Sequence, residues 1–310
     1  MPFVSTPRMR IHYEEAGAGP EKFVFVHGNF ASWRWWKPVL ERLPSDWHAF
    51  APDLRGCGDN SADPPDDTRS AYAIPELADD LAAFVDAIPL RAFHLVGHSL
   101  GGAVALQYAL SHESRVRSLV LVAPPPAAGL AGMREGTSSS ARLLRRIDPD
   151  HQPSLDALHS GYRMHRALGT NRWVLRRALA EMMPGASLER AFAEALLADA
   201  ARLRPDAVVG FLQALHRWNV EATLPSLGVP TVILWGEKDV LVPRAGLEKM
   251  ARLLPCARLV VWPESGHSPQ LERPDAFMTL LASSRQGLIA RRLRLLIGRA
   301  KRWCAAALTA

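Results

Sequence analysis

A serine between two glycines is the first candidate for chemistry in this 310-residue chain. The segment Gly97-His98-Ser99-Leu100-Gly101 has the spacing G-x-S-x-G and lies where an apolar run ends and a helical pattern begins. In that context the serine occupies a sharp strand-to-helix turn, and the next N–H points toward a developing oxyanion. The alternative is a glycine-rich helix start that Ser99 caps. The strand–turn–helix context favours a nucleophilic Ser99, with Leu100 as a backbone donor.

A serine of ordinary pKa is a poor nucleophile and requires a base. His267 follows the apolar run Arg258–Trp262, and Asp239 lies just past the run Thr231–Trp235. Taken singly, His267 has the pattern of a surface histidine and Asp239 that of a loop or cap aspartate. The order serine, aspartate, histidine is expected when all three lie on one parallel sheet. The set predicts Ser99 as nucleophile, His267 as base and Asp239 as the acid that orients the base.

A second backbone donor is predicted in the motif His27-Gly28-Asn29, which follows the apolar run Phe23–Val26. A loop at this position supplies another N–H to an oxyanion, and Asn29 is the predicted donor. The alternative is a tight turn with Gly28 at positive φ. His27 is predicted to hold the loop by hydrogen bonds and not to act as a second base.

The elements that must position these residues alternate between short apolar runs and helical patterns, in residues 1–124 and again in 225–284. Such runs are typical of strands buried on both faces of a parallel sheet, and the alternation implies βαβ units. The predicted strands are Phe23–Val26, His48–Ala51, Phe93–Val96, Leu119–Val122, Thr231–Trp235 and Arg258–Trp262. The predicted helices are Trp33–Leu43, Pro75–Ile88, Leu100–Leu110, Leu247–Leu254 and Pro274–Leu281.

The middle of the chain, residues 125–224, lacks comparable strand runs and has helical patterns throughout. Its predicted helices are Ser140–Ile147, Leu155–Leu168, Arg172–Met182, Leu188–Leu203 and Asp206–Trp218. An α/β core interrupted by a helical insertion is the simplest description. Because the α/β pattern resumes afterwards, the insertion must leave and return on one side of the sheet.

These motifs resemble those of α/β-hydrolases of the lid-bearing esterase, haloperoxidase and C–C hydrolase type. The matching segments extend from residue 23 to about 281 and are His27-Gly28-Asn29, Pro52–Gly58, Gly97–Gly102, Trp235–Asp239 and Ser265-Gly266-His267. The resemblance implies an α/β-hydrolase fold with a mainly parallel eight-stranded sheet flanked by helices. It also implies that residues 125–224 form a helical lid over Ser99.

The resemblance assigns the same roles to the candidate residues. It implies Ser99 as nucleophile, His267 as base, Asp239 as orienting acid, and the Asn29 and Leu100 amides as the oxyanion hole. It implies no metal and no organic cofactor. Haloalkane dehalogenases and epoxide hydrolases of this superfamily carry an aspartate at the nucleophile position, so Ser99 argues against both.

The net charge of +6 is concentrated at the C-terminal end. Residues 285–310 hold seven Lys or Arg and no acid, while the other 284 residues hold 30 basic and 31 acidic side chains, a net charge of −1. The body therefore lacks the basic character of a nucleic-acid-binding domain. The pattern predicts a basic amphipathic helix over 285–310, which either binds an anionic membrane surface or packs on the body. We favour packing, because stable membrane anchoring usually requires two signals.

Composition excludes several other classes of protein. With 48% apolar and 22% charged residues, the chain is not disordered, collagen-like or a coiled coil. No apolar run reaches 18 residues, and the N-terminal segment lacks the pattern of a signal peptide. The three cysteines are widely spaced and form no zinc motif, which fits a reducing compartment and an expected cytoplasmic location.

Three tryptophans, Trp33, Trp35 and Trp36, follow the Asn29 loop closely. One of them could line an acyl pocket, but residues 33 and 36 share one helical face, which favours packing in the core. Substrate-facing residues within the insertion cannot be distinguished by pattern from those that join its helices.

The predicted function is a serine hydrolase that cleaves carboxylic esters of small to medium apolar substrates through an acyl-enzyme. One alternative is a C–C bond hydrolase or lactonase with the same three residues. Others are an acyltransferase or cofactor-free perhydrolase, and a receptor-like binder with slow turnover. Fold alone does not choose among these.

Overall fold

One eight-stranded sheet organises the part of the chain that the structure, a computed structural model, describes: residues 2–62, 71–129 and 172–284. The strands are β1 (Phe3–Ser5), β2 (Arg10–Gly17), β3 (Glu21–Val26), β4 (Trp47–Pro52), β5 (Phe93–His98), β6 (Val116–Val122), β7 (Thr231–Gly236) and β8 (Ala257–Trp262). Their order in space is β1-β2-β4-β3-β5-β6-β7-β8. The pairs β1–β2 and β2–β4 are antiparallel, and all others are parallel. The predicted mainly parallel eight-stranded sheet is confirmed.

Each of the six strands predicted from apolar runs corresponds to an observed strand, while β1 and β2 have no counterpart in that pattern. Both lie at one edge of the sheet, where water reaches part of their surface. In β2 only Ile11 and His12 are buried. A continuous apolar run is the signature of a strand covered on both faces, so these edge strands escaped it.

The described helices are α1 (Lys37–Leu40), α2 (Ile74–Ala87), α3 (Leu100–Ser111), α4 (Arg172–Met182), α5 (Arg190–Arg202), α6 (Pro205–Arg217), α7 (Arg244–Leu253), α8 (Pro269–Glu272) and α9 (274–284). The prediction of one helix over Trp33–Leu43 was wrong: a 3₁₀ turn over Trp33–Trp36 is followed by the short α1. Pro38 has no N–H to bond the preceding turn, so the α-helix starts anew at Lys37, with Pro38 in its first turn. None of the described helices is long and apolar enough to cross a membrane.

Helices α4, α5 and α6 lie between β6 and β7, and together they are called the helical insertion. They match the predicted helices within two residues at each end. Because β6 and β7 pair directly, with Leu119 opposite Thr231, the insertion leaves and re-enters the core between neighbouring strands. The predicted helices Ser140–Ile147 and Leu155–Leu168 and the basic segment 285–310 lie outside the described residues.

Apolar side chains cover both faces of the sheet. On one face, Val24 and Leu95 pack with residues of α2, α3 and α7. On the other, Phe25 and Val96 pack with Trp36, and α9 closes this face. Full burial of such a side chain stabilises the fold by roughly 1.5–3 kcal/mol. The two clusters hold the strands rigidly, so the loops at the strand ends have fixed starting points.

Candidate active site

Four loops that carry predicted site residues begin at the same edge of the sheet. Asn29 follows β3, Ser99 follows β5, Asp239 follows β7 and His267 follows β8. These strands are parallel, and β6 alone separates β5 from β7. The carboxyl edge of the sheet therefore gathers all four loops, which is where ligands bind in open α/β sheets.

Ser99 lies in a strained turn between β5 and α3. Its backbone has φ 50° and ψ −122°, a conformation that few non-glycine residues adopt. A Cβ added to Gly101 would lie 2.3 Å from the carbonyl oxygen of His27, so no larger residue fits there. The Ser99 side chain makes no cap hydrogen bond to α3. The geometry is the strand–turn–helix expected of a nucleophile and not that of a capping serine.

Asp239 and His267 are hydrogen-bonded to each other. The His267 Nδ1–H donates to Asp239 Oδ2 over 2.9 Å, which leaves Nε2 as the acceptor of the neutral ring. Asp239 Oδ1 accepts the N–H groups of Leu241 and Val242 at 2.7 and 3.1 Å, so its carboxylate is fixed. Between the described residues no hydrogen bond joins Ser99 Oγ to His267. Such bonds are often long before a substrate is bound.

The main chain of His267 is held at both its N–H and its carbonyl. The N–H donates to the Met182 carbonyl at the end of α4, over 2.7 Å. The carbonyl accepts a hydrogen bond from His98 Nε2 over 3.0 Å. Burial lowers the pKa of His98 well below its ordinary value, so the ring is neutral and donates through Nε2. The residue before Ser99 is thus bonded directly to His267, a link that sequence reasoning missed.

The loop that carries Asn29 packs against the Ser99 turn. A Cβ added to Gly28 would lie 3.0 Å from the Ser99 Cβ and 2.9 Å from His98 Nδ1. The N–H of Phe30, which has a positive φ of 57°, donates to Asn29 Oδ1 over 2.9 Å. Leu100 opens α3, where a backbone N–H has no partner within the helix. The Asn29 and Leu100 amides are accordingly the candidate donors to an oxyanion.

His27 holds this loop, in keeping with the sequence prediction. Its Nδ1 donates to the Gly28 carbonyl over 2.7 Å, and its Nε2 accepts the Leu54 N–H over 2.9 Å. Burial lowers the pKa of His27, which keeps the ring neutral and both bonds intact. A ring with both nitrogens engaged in this way is not available as a base.

Three other ionisable side chains, His12, Asp53 and Asp59, bring possible metal-ligand atoms within 4.8 Å of one another. The Asp53 carboxylate already accepts hydrogen bonds from His12 Nδ1 at 2.8 Å, Trp33 N at 2.7 Å and Asp59 N at 3.0 Å. Asp59 also pairs with Arg202, a cation that opposes metal binding. These hydrogen bonds stabilise the loop after β4, which is the role that they indicate for the three side chains.

The three tryptophans after the Asn29 loop separate into two environments. Trp33 and Trp36 pack in the core beneath the sheet, while Trp35 packs against the helical insertion. The Trp35 ring also stacks on His98, with centroids 5.5 Å apart. We call the group around it the Trp35 cluster; its buried members are Ala31, Trp35, Met183, Leu196 and Leu271, with Leu179, Met182, Ala186, Leu188 and Phe192 packed against them. The apolar Trp35 cluster therefore lies beside the Ser99 turn.

Comparison with known proteins identifies the family. The sequence profile of the α/β-hydrolase fold matches residues 22–274, and the chain belongs to this family. A pimeloyl-(acyl-carrier protein) methyl ester esterase of Neisseria meningitidis serogroup B is 31% identical over 265 residues, covering 84% of this chain and 91% of that protein.

Two solved structures extend the comparison. A membrane phospholipase A, a bacterial virulence factor, superposes with a TM-score of 0.74 at 25% identity, over 93% of this chain and 86% of the other. An N-acyl homoserine lactone degrading enzyme gives a TM-score of 0.65 at 25% identity, over 91% and 99%. The chain is a hydrolase of the α/β-hydrolase fold and of esterase type.

Proposed function

We propose that this protein is a serine hydrolase that cleaves carboxylic esters of small to medium apolar substrates through an acyl-enzyme. The observation that carries the proposal is the strained backbone of Ser99, at φ 50° on the turn into α3. The hydrogen bond between His267 and Asp239 at the same edge of the sheet supports it. The roles are those of a nucleophile, a base and an acid that orients the base.

The proposed reaction has two steps. Ser99 Oγ attacks the ester carbonyl while His267 Nε2 takes its proton, and the tetrahedral oxyanion accepts hydrogen bonds from Asn29 N–H and Leu100 N–H. His267 then gives the proton to the leaving alcohol, and the acyl group stays on Ser99. In the second step His267 activates a water molecule, which releases the acid. Asp239 stabilises the imidazolium that forms in both steps.

The apolar character of the substrate is argued from the Trp35 cluster. Trp35 contacts His98, the neighbour of the proposed nucleophile, and packs with apolar side chains of the insertion. We place the acyl or alcohol group of the substrate against half-buried members of this cluster, such as Met182 and Phe192, where apolar surface is removed from water on binding. The three proteins compared above are named a methyl ester esterase, a phospholipase A and a lactone degrading enzyme, and cleavage of an ester bond is common to these three.

We further propose that the helical insertion acts as a lid over Ser99. Met182, at the end of α4, bonds the main chain of His267, and α5 contributes Leu196 to the Trp35 cluster. A helical insertion that contacts both the loop of His267 and the Trp35 cluster excludes water from the reacting atoms.

Replacing Ser99 with alanine tests the proposal directly. The variant should remain folded and lose roughly 10⁴-fold or more in kcat on p-nitrophenyl esters, as triad nucleophiles do. Ser118→Ala is the matched control, because Ser118 Oγ bonds a histidine, His94, over 2.6 Å but lies within β6. The control should keep kcat within a few-fold of wild type. If Ser99→Ala retained a tenth of the wild-type kcat, the nucleophile would have to be reassigned.

A second candidate function is lactone hydrolysis, which the likeness to the lactone-degrading enzyme favours. The same residues would open a cyclic ester. A panel of p-nitrophenyl esters of increasing acyl length, N-acyl homoserine lactones and C–C cleavage substrates ranks these activities by kcat/KM. A burst of one equivalent without turnover would instead indicate the slow binder, and product esters formed with added alcohols would indicate acyl transfer.

A further inference from the structure

Glu272, at the end of the short α8, binds two separate stretches of main chain with one carboxylate. The Gly266 N–H, next to His267, lies 2.9 Å from Oε1 and 3.0 Å from Oε2. The Gly185 N–H, in the turn between α4 and α5, donates to Oε2 over 3.0 Å. The carboxylate therefore joins the loop of the proposed base to the helical insertion.

The two stretches that Glu272 joins also contact each other directly. The His267 N–H bonds the Met182 carbonyl, and a Cβ added to Gly266 would lie 2.5 Å from Pro184 Cδ and 2.6 Å from the Met182 carbonyl oxygen. There is no space for either segment to move toward the other. A shift in the position of the α4–α5 turn must therefore also shift the main chain of His267.

The electrostatic setting of Glu272 is unfavourable for a residue that serves only to stabilise the loop. Burial raises the pKa of the Glu272 carboxyl, the hydrogen bonds from Gly266 and Gly185 oppose that rise, and the charge of Asp239 adds to it. A partly buried carboxylate near a second one costs stability. Such local costs are typical of functional sites.

We propose that Glu272 is a positioning residue that sets the place of His267 relative to Ser99 by holding Gly266 and Gly185 together. The inference rests on the proposed function of His267 as the base. The bond to Asp239 fixes the ring of His267, and Met182 and His98 bond its main chain. Glu272 adds the bonds that fix the neighbouring Gly266 and the turn at Gly185 relative to each other. Misplacement by about 1 Å can cost about 10²-fold in rate.

Glu272→Gln is the direct test. A glutamine keeps one acceptor oxygen and loses the negative charge. Because the Gly266 N–H lies within 3.0 Å of both Glu272 oxygens, the glutamine NH₂ opposes this N–H whichever oxygen it replaces. We expect kcat per folded molecule to fall roughly 10- to 100-fold on a short p-nitrophenyl ester, with KM within about twofold of wild type. Glu264→Gln is the control on the same loop, because Glu264 is exposed and pairs with Lys238; it should leave both constants unchanged.

A merely structural Glu272 would lower the melting temperature and the folded fraction without changing kcat per folded molecule. The folded fraction is taken from circular dichroism melts of each variant. A Glu272→Gln variant with wild-type kcat per folded molecule would overturn the proposal.

Gly185→Ala tests the insertion side and serves if Glu272→Gln fails to fold. Its Cβ would lie 3.0 Å from Glu272 Oε2 and must displace the carboxylate slightly. We expect a several-fold lower kcat with unchanged KM; an unchanged kcat would overturn the link to the insertion. Failure of the proposed function is separately visible, since Ser99→Ala would then stay active whatever Glu272→Gln does.

Discussion

Backbone placement, more than side-chain type, singles out the candidate nucleophile. Ser118 Oγ bonds His94 Nδ1 over 2.6 Å, and His94 Nε2 lies 3.3 Å from Glu21 Oε2, so a second Ser–His–acid set exists in the molecule. That set lies within β6, β5 and β3 near their amino ends, and Ser118 is buried in the sheet. Ser99 differs because its backbone is strained and because it directly precedes α3, whose first N–H groups have no partner within the helix.

Asp239→Asn should be far more damaging than Glu237→Gln. Asparagine preserves the size of Asp239 but favours the wrong tautomer of His267, and kcat should fall by about 10⁴-fold. Glu237 lies two residues away and is exposed, so Glu237→Gln should remain within a few-fold of wild type. Steady-state kinetics on one p-nitrophenyl ester compare the two. Equal losses would mean that the acid has been assigned wrongly.

Two buried histidines should make the fold acid-sensitive. Burial lowers the pKa of both His27 and His98 in the folded state, whereas the unfolded chain titrates near 6.5. Below about pH 6.5 the unfolded state binds more protons, so stability is present above this pH and is lost as the pH falls toward the folded pKa values. The melting temperature should decline from pH 7 to pH 5.

His98→Gln should make that decline shallower, because one of the two titrating rings is gone. His216→Gln, at an exposed position on α6, is the control and should leave the slope unchanged. Thermal melts at half-unit pH intervals give the slopes. A melting temperature that is flat between pH 7 and pH 5 in the wild type would contradict the prediction.

At the scale of elements, one buried carboxylate fastens the helical insertion to the core. Asp199 of α5 is 2% exposed, accepts a hydrogen bond from the Ser32 hydroxyl, and pairs with Arg34 and Arg202. Ser32 in turn caps the 3₁₀ turn that carries the three tryptophans, since its Oγ accepts the Arg34 N–H. Asp199 and its partners therefore hold the helical insertion to the 3₁₀ turn Trp33–Trp36.

Asp199→Ala should lower the free energy of unfolding by about 2–3 kcal/mol, because it leaves Arg34 and the Ser32 hydroxyl without this partner. Urea unfolding followed by circular dichroism measures the change. Glu181→Gln is the control, because its pair with Arg177 on α4 is exposed on both sides and should contribute less than about 0.5 kcal/mol. If Asp199→Ala lowered the free energy of unfolding no more than the control does, Asp199 would not be the residue that holds the insertion to the core.

At the scale of the whole molecule, the excess positive charge and the proposed catalytic residues lie in different parts of the chain. Every proposed catalytic residue lies upstream of 285, and the seven cations of 285–310 exceed the net charge of the entire chain. Truncation after Ser284 should change the net charge from +6 to −1 and leave kcat/KM on soluble short-chain esters within a few-fold of wild type. Sedimentation with anionic vesicles at low salt tests the membrane alternative. Salt-sensitive binding by the intact chain, lost on truncation, would favour that alternative over packing.

The sequence by itself determined the features that local patterns encode. Apolar runs located six of the eight strands: five inner strands, which are mostly buried, and the edge strand β8, which is apolar although only partly buried. The G-x-S-x-G spacing and the order Ser99, Asp239, His267 placed the candidate residues after the correct strands, since parallel strands bring their carboxyl ends to one edge.

Only the tertiary structure decided which distant groups meet. The bonds from Met182 and His98 to His267, and from Glu272 to Gly185, join residues far apart in the chain, and no local periodicity records such pairs. The same holds for Trp35, which packs against the insertion although Trp33 and Trp36 pack in the core. The spacing of apolar residues along a helix or strand shows which of its faces is apolar. Which other element packs against that face depends on how the whole chain folds.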